Sequence, residues 1–181
     1  MTDQNSTGTP SQDLPPDARR SRTAVVVLSA LTVLLLLACV ILALVVKSQR
    51  DDREALANAR EAALQAGRQA ILNLDALSAA TIDADLARVV AQATGQFKQQ
   101  FTGGQGELRS QILARKTVSS GTILSAGVVR SDRDTATILV AVDRLLKDST
   151  VKDGVTDHDR WKLDVELHGG RWLVAKLDVV V

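Results

Sequence analysis

The 181-residue chain has no tyrosine, two phenylalanines, two tryptophans, one cysteine and three prolines, and only two histidines. Each scarcity excludes something. One cysteine forms no intrachain disulfide. Two imidazoles and one thiol argue against a zinc site built on histidine and thiolate ligands. So few aromatic rings leave no platform on which nucleobases stack. Charge of one sign is lacking too: 22 Lys and Arg face 21 Asp and Glu, a formal net charge of +1. A nucleic-acid footprint needs a clustered surplus of Lys and Arg, so nucleic acid is not an expected partner. No Gly-rich phosphate loop, Gly-x-Ser-x-Gly elbow or His-Glu-x-x-His helix occurs.

What is present is hydrophobic, at 45% of residues, and unevenly placed. Residues 1–22 hold all three prolines (Pro10, Pro15, Pro16) and a single leucine, a composition that predicts a disordered tail. Residues 23–46, bounded by Thr23 and Val46, carry no charge, and sixteen of them are Leu, Ile or Val. As a helix this segment is about 36 Å long, against about 30 Å of bilayer hydrocarbon. A membrane anchor follows. A cleaved signal has a shorter apolar region. Leu36-Leu37-Ala38-Cys39 loosely resembles a lipobox, but the residues after Cys39 stay apolar where a lipoprotein continues with a polar tether. Arg19-Arg20 fits a twin-arginine signal poorly. Arg19, Arg20 and Arg22 before the span nearly balance Lys47, Arg50, Arg53 and Arg60 after it; their tighter clustering leans towards a cytoplasmic N-terminus.

Residues 47–181 are enough for one core. Leu56, Ala59, Ala63, Ala66, Gly67, Ala70, Ile71, Leu74 and Leu77 recur at helical spacing, interrupted by Arg60. A stripe this rich in alanine lets a sheet approach closely; a coiled-coil seam, the rival reading, prefers bulkier residues. A second helix is expected from Asp83, as its cap, through Leu86, Val89, Val90, Ala93, Phe97 and Phe101 to the breaker Gly103-Gly104-Gln105-Gly106. A short third helix then runs from Glu107 to about Lys116. Phe97 and Phe101, four apart, read as core.

After Val118 the period becomes two. The spacing predicts strands over 122–129 and 136–143, with a turn at 131–134. A polar loop is expected over 147–159, followed by a strand with Trp161, Leu163, Val165 and Leu167 on one face. His168-Gly169-Gly170 makes a tight turn before a last strand over 171–180. Helices first and a meander afterwards mean α+β: about three helices packed on a curved antiparallel sheet of about four strands. His158, in the loop, and His168, in the turn, are expected to be solvated, and the sequence identifies no carboxylate partner for either. Asp157, His158 and Asp159 read as loop residues before a cation site, and Asp132 and Asp134 as turn residues. No catalytic residue, cofactor-binding residue or metal ligand stands out, and an enzyme is not expected.

The order of these features resembles the Mce-associated membrane proteins of actinobacteria. The resemblance lies in the tail, the span and the alanine-rich helix from Arg53-Glu54-Ala55-Leu56. It continues through Ile82-Asp83-Ala84-Asp85-Leu86, Ala93-Thr94-Gly95-Gln96-Phe97 and the closing Gly169-Gly170-Arg171-Trp172. Asn73-Leu74-Asp75-Ala76-Leu77 departs from it, since the family often has an aromatic residue there. The resemblance implies a nuclear-transport-factor-like cone held outside the plasma membrane. It also implies association with Mce complex proteins and permease subunits that import lipids or sterols, in a stabilising or assembling role without catalysis. Ala93, Thr94, Gly95, Phe97, Gly170 and Trp172 are then structural motif residues, with Gly95 relaxing the helix before Phe97 and Trp172 filling the cone. A lipid held inside the cone, or a part in type IV secretion assembly, are the competing functions.

Overall fold

The computed structural model describes residues 17–180. It divides into two compact units, Met1–Arg50 and Asp51–Val181. Most of the expected tail, 1–16, lies outside the described residues. Over 17–22 the expected disorder gives way to helix, because α1 (Asp17–Asp75) starts straight after Pro16. Proline is well placed just ahead of a first helical turn, where its missing N–H removes nothing.

In the first unit, the side chains of 25–46 are all exposed, Leu and Val included. The helix there is long and apolar enough to cross a membrane. A core helix of the same composition would be buried. Here the apolar surface faces outward on every side, the pattern of a helix whose solvent is lipid.

In the second unit, the C-terminal part of α1, α2 (Ile82–Ala91) and α3 (Gly95–Arg115) are followed by four strands. These are β1 (Val118–Ser131), β2 (Thr135–Lys147), β3 (Val155–His168) and β4 (Arg171–Val179), paired antiparallel in the order 1-2-3-4. The expected α+β class and meander are observed. One cluster packs Ala63, Ala70 and Ile71 of α1 on Ile138, Val140 and Val142 of β2 and Leu163 and Val165 of β3. Gly67 is what brings the helix so near: a Cβ there would lie 2.7 Å from Ile138 Cδ1. The buried stripe starts at Ala63, and Leu56 is exposed. A smaller cluster, Leu77, Ile82, Leu86 and Ile112, joins the end of α1 to α2 and α3, with Phe101 and Leu108 against it.

The helix boundaries after α1 differ from expectation. The second helix stops at Ala91, because Gln92–Thr94 is drawn into pairing with β4. Val174 N donates to Gln92 O, and Thr94 N donates to Val174 O, each at 2.8 Å. Conversely α3 runs unbroken through Gly103-Gly104-Gln105-Gly106, so no separate third helix begins at Glu107. Tertiary anchors on either side, Phe101, Leu108 and Ile112, override a helix-propensity cost of about 1 kcal/mol per glycine. Asp83 does not cap α2. It pairs with Arg109 of α3 at 2.7 and 3.1 Å, while the buried Asp85 accepts from Thr81 Oγ1 at 2.8 Å and Ser78 N at 3.0 Å.

The polar loop is shorter than expected, because β3 begins at Val155 and its residues 155–159 pair with β2. His158 is therefore a strand residue opposite Asp143, with its Nδ1 2.6 Å from Asp143 Oδ1. His168 Nε2 lies 2.9 Å from Glu166 Oε2. Both rings are solvated, as expected, but each has a carboxylate neighbour that only strand pairing or the i, i+2 repeat of a strand provides. The Gly169-Gly170 turn has φ of 56° and 80°, the left-handed region that glycine enters without strain.

Candidate functional site: a buried carboxylate and the cavity beside it

Strand alternation puts the even-numbered residues of β2 and the odd-numbered residues of β3 on the face that α1 covers. Ile138, Val140 and Val142 are followed on that face by Arg144, and Trp161, Leu163 and Val165 are preceded by Asp157 and Asp159. The apolar rows thus end in charge. Arg144 stands opposite Gly121 of β1 on one side and Asp157 of β3 on the other. Its Nη2 donates to Asp157 Oδ2 at 3.1 Å and lies 3.3 Å from Asp159 Oδ2.

Asp75, the last residue of α1, is set down on this row. It is 0% exposed, and neither carboxylate oxygen has a hydrogen-bond partner among the described residues. Gly121 makes room for it, since a Cβ there would lie 2.8 Å from both Asp75 Cβ and Oδ2. Burial pushes the Asp75 carboxyl up to about 6; the Arg144 guanidinium opposes the rise and the Asp159 charge adds to it. A carboxylate at a helix C-terminus also faces the negative end of the helix dipole. Three carboxylates thus surround one guanidinium. Such a strongly perturbed acid marks a candidate site.

A cavity of about 180 Å³ shares Arg144 with this cluster. Leu74 and Leu77 line it from α1 and the segment after it, Leu108 and Ile112 from α3, and Leu146 from β2. Thr117, Ser119, Gln111, Arg115 and the carboxylate of Asp148 add polar groups. The wall is thus mixed, with an apolar floor and guanidinium groups beside it. Chemically the site can hold a proton on Asp75 up to a pH of about 6, and the charge of Arg144 is already met by Asp157 and Asp159.

The motif residues lie elsewhere. Ala93 is buried and forms a parallel bridge with Val174, and Thr94 is the N-cap residue of α3. Gly95 has φ of 49°, and a Cβ on it would lie 3.3 Å from Ala175 O. Phe97 and Trp172 pack on the larger cluster, and Gly170 closes the β3–β4 turn. Together they fasten the start of α3 to β4. They do not meet Asp75. Thr23 and Val46 belong to α1, the former among residues whose side chains are not described.

Sequence reasoning singled out neither Asp75 nor Arg144 as a site residue, although a signal existed. Asp75 falls four residues after Ile71 on the buried face, and Arg144 two after Val142. Each is a charge continuing an apolar period.

The fold and site define a class: an α+β domain carrying an apolar helix fit to span a membrane, with a half-buried polar cluster where the apolar rows of its sheet end. Residues 23–181 match the family described as "Uncharacterized protein Rv1363c/MT1408-like", and the chain belongs to that family. The "Uncharacterized protein Rv1363c" of Mycobacterium tuberculosis (strain ATCC 25618 / H37Rv) is 29% identical over 125 residues, 67% of this chain. The chain spans about half, 47%, of that relative's length. Among solved structures, the periplasmic domain of DotI has a TM-score of 0.55 at 11% identity, over 65% of this chain and 91% of that one. A periplasmic fragment of TraM has a TM-score of 0.53 at 13% identity, over 66% and 95%. An IcmL-like type IV secretion system protein of Legionella pneumophila has a TM-score of 0.54 at 9% identity, over 65% and 88%. At these identities the likeness is one of fold.

Proposed function

We propose that this protein is a membrane-anchored, non-catalytic accessory subunit of an envelope transport complex, with residues 51–181 outside the cytoplasmic membrane. The observation that carries this reading is the fully exposed apolar helix of 25–46, joined to a domain whose fold is shared with periplasmic domains. The N-terminus is then cytoplasmic, in keeping with the Arg19, Arg20 and Arg22 cluster. The finer reading is a subunit that stabilises or assembles an Mce-type importer of lipids or sterols. It rests on the order of motifs from Arg53 through Ala93-Thr94-Gly95 to Trp172.

Capture of the full chain from membranes in mild detergent tests both levels. Recovery of Mce proteins and permease subunits supports the finer reading, and their absence overturns it. Protease treatment of intact cells tests the coarser one: loss of the C-terminal domain is expected, and its protection overturns the envelope placement. A second reading, a component of a type IV secretion assembly, is favoured by the three solved neighbours named above. Secretion-channel proteins in the same capture would replace the first reading with this one.

A further inference from the structure

Three glycines stand in the middle of α3 without a packing reason. A Cβ placed on Gly103, Gly104 or Gly106 meets nothing within 4 Å. Alanine would fit at each and favours a helix by about 1 kcal/mol per site. Gly67, Gly121 and Gly154 differ, since at each of them a Cβ would come within 3 Å of a neighbour. What glycine supplies at 103–106 is therefore not space but backbone freedom.

The two ends of α3 are held in different ways. Its start is fastened to β4, through Thr94 to Val174 and through Phe97 on the larger cluster. Beyond the glycines only Ile112 is buried, and Leu108 is half-buried. An exposed ion pair, Arg109 with Asp83, is the clasp to α2, and at the far end Ser149 N donates to Arg115 O at 2.8 Å while Arg115 Nη1 lies 4.0 Å from Asp148 Oδ2. The half-helix then ends at Lys116 with φ of 54°, the left-handed conformation that a non-glycine residue adopts at some cost. A soft joint thus precedes this half and a strained one follows it. Between them Leu108, Gln111, Ile112 and Arg115 form one wall of the 180 Å³ cavity beside Arg144.

We propose that residues 107–115 of α3 are a lid, hinged at Gly103–Gly106 and at Lys116, whose local opening widens the cavity, already open to solvent at Gln111 and Arg115, and exposes its inner wall of Leu74, Leu77 and Leu146. The lid opens while the sheet stays folded. Its opening is a sub-global event of the kind found where few buried contacts hold an element. It requires no particular partner complex and stands apart from the proposed function.

The test uses the full chain in detergent micelles, with Cys39→Ala so that no native thiol reports. Ile112→Cys places a thiol on the inner face of the lid, and Val165→Cys places one in the sheet. Without denaturant, a thiol reagent is expected to label the Ile112→Cys variant at least tenfold faster than the Val165→Cys variant. Adding Gly103→Ala, Gly104→Ala and Gly106→Ala should slow the first by up to about a hundredfold, from about 1 kcal/mol at each site, and narrow that gap. Equal labelling of the two positions before the alanines are added overturns the proposal. So does an Ile112→Cys rate that the alanines leave unchanged. Amide exchange of the chain with its natural Ile112 and Val165 gives an independent reading. Protection over 108–115 is expected to be lost well before that of 163–167, and equal protection also overturns the lid.

Discussion

Helix α1 contains two apolar stretches that obey opposite rules. Over 25–46 large Leu, Ile and Val side chains point outward on every side. Over 63–71 the buried residues are Ala63, Gly67, Ala70 and Ile71, mostly small and confined to one face. The difference is one of solvent. Lipid accepts bulky side chains all round, whereas a sheet at close range accepts only what leaves room for Ile138. Where α1 ends, a third rule applies: Asp75 is buried next to Arg144, and its oxygens have no hydrogen-bond partner among the described residues.

The comparison breaks most readily on the sheet side. Ile138→Ala removes a 0%-exposed side chain from beneath Gly67 and should cost about 4 kcal/mol. Denaturant unfolding of the full chain in micelles measures it. In the lipid-facing stretch, Leu35→Arg should cost about 3 kcal/mol of insertion and shift the protein from membrane to soluble or aggregated fractions. The corresponding Leu35→Ala should leave fractionation unchanged.

At the end of the helix the sign reverses. The folded protein holds the Asp75 proton up to about 6, the unfolded chain only to the ordinary 3.8. Stability is therefore fully present below the lower value and falls as pH rises through this window. Asp75→Asn should raise stability by about 2 kcal/mol at pH of about 8 and flatten the slope between about pH 4 and about pH 7. Thermal unfolding across that range checks it, and an unchanged slope would assign the pH dependence to other groups. The smallest effect is expected at Gly67→Ala, about 1–2 kcal/mol destabilising, because Ile138 Cδ1 is the end of a side chain that can turn aside. A null result there would mean that the gain of about 1 kcal/mol in helix preference offsets the cost of turning Ile138 aside.

Much of this was legible in the residues. Leu163, Val165, Val140 and Val142 announced their buried face by period two. Gly169-Gly170 announced its turn because two consecutive positive φ values have few other solutions. The break at Gln92–Thr94 was hidden, since Val89, Val90, Ala93 and Phe97 keep helical spacing across it. What ends the helix is β4, some 80 residues further on. The strand character of 155–159 was hidden for a related reason. Thr156, Asp157, His158 and Asp159 are polar like a loop, and only pairing with β2 extends them.

The candidate site was the least legible part. A charge inside an apolar period can be a flaw in the period, as Arg60 is: it stays exposed and donates to Val128 O at 3.3 Å. It can also be a buried group, as Asp75 is. The two look alike in one dimension.

Composition and periodicity by themselves determined the apolar stretch long enough to span a membrane, the α+β class, the meander and its tight turn, because each rests on interactions within a few residues or on total apolar length. Only the tertiary structure decided where α2 stops, that α3 continues through its glycines, and that Asp75 comes to rest on Gly121 beside Arg144. Those outcomes depend on groups far apart in the chain, and on free energies of contact that exceed the local preferences they override.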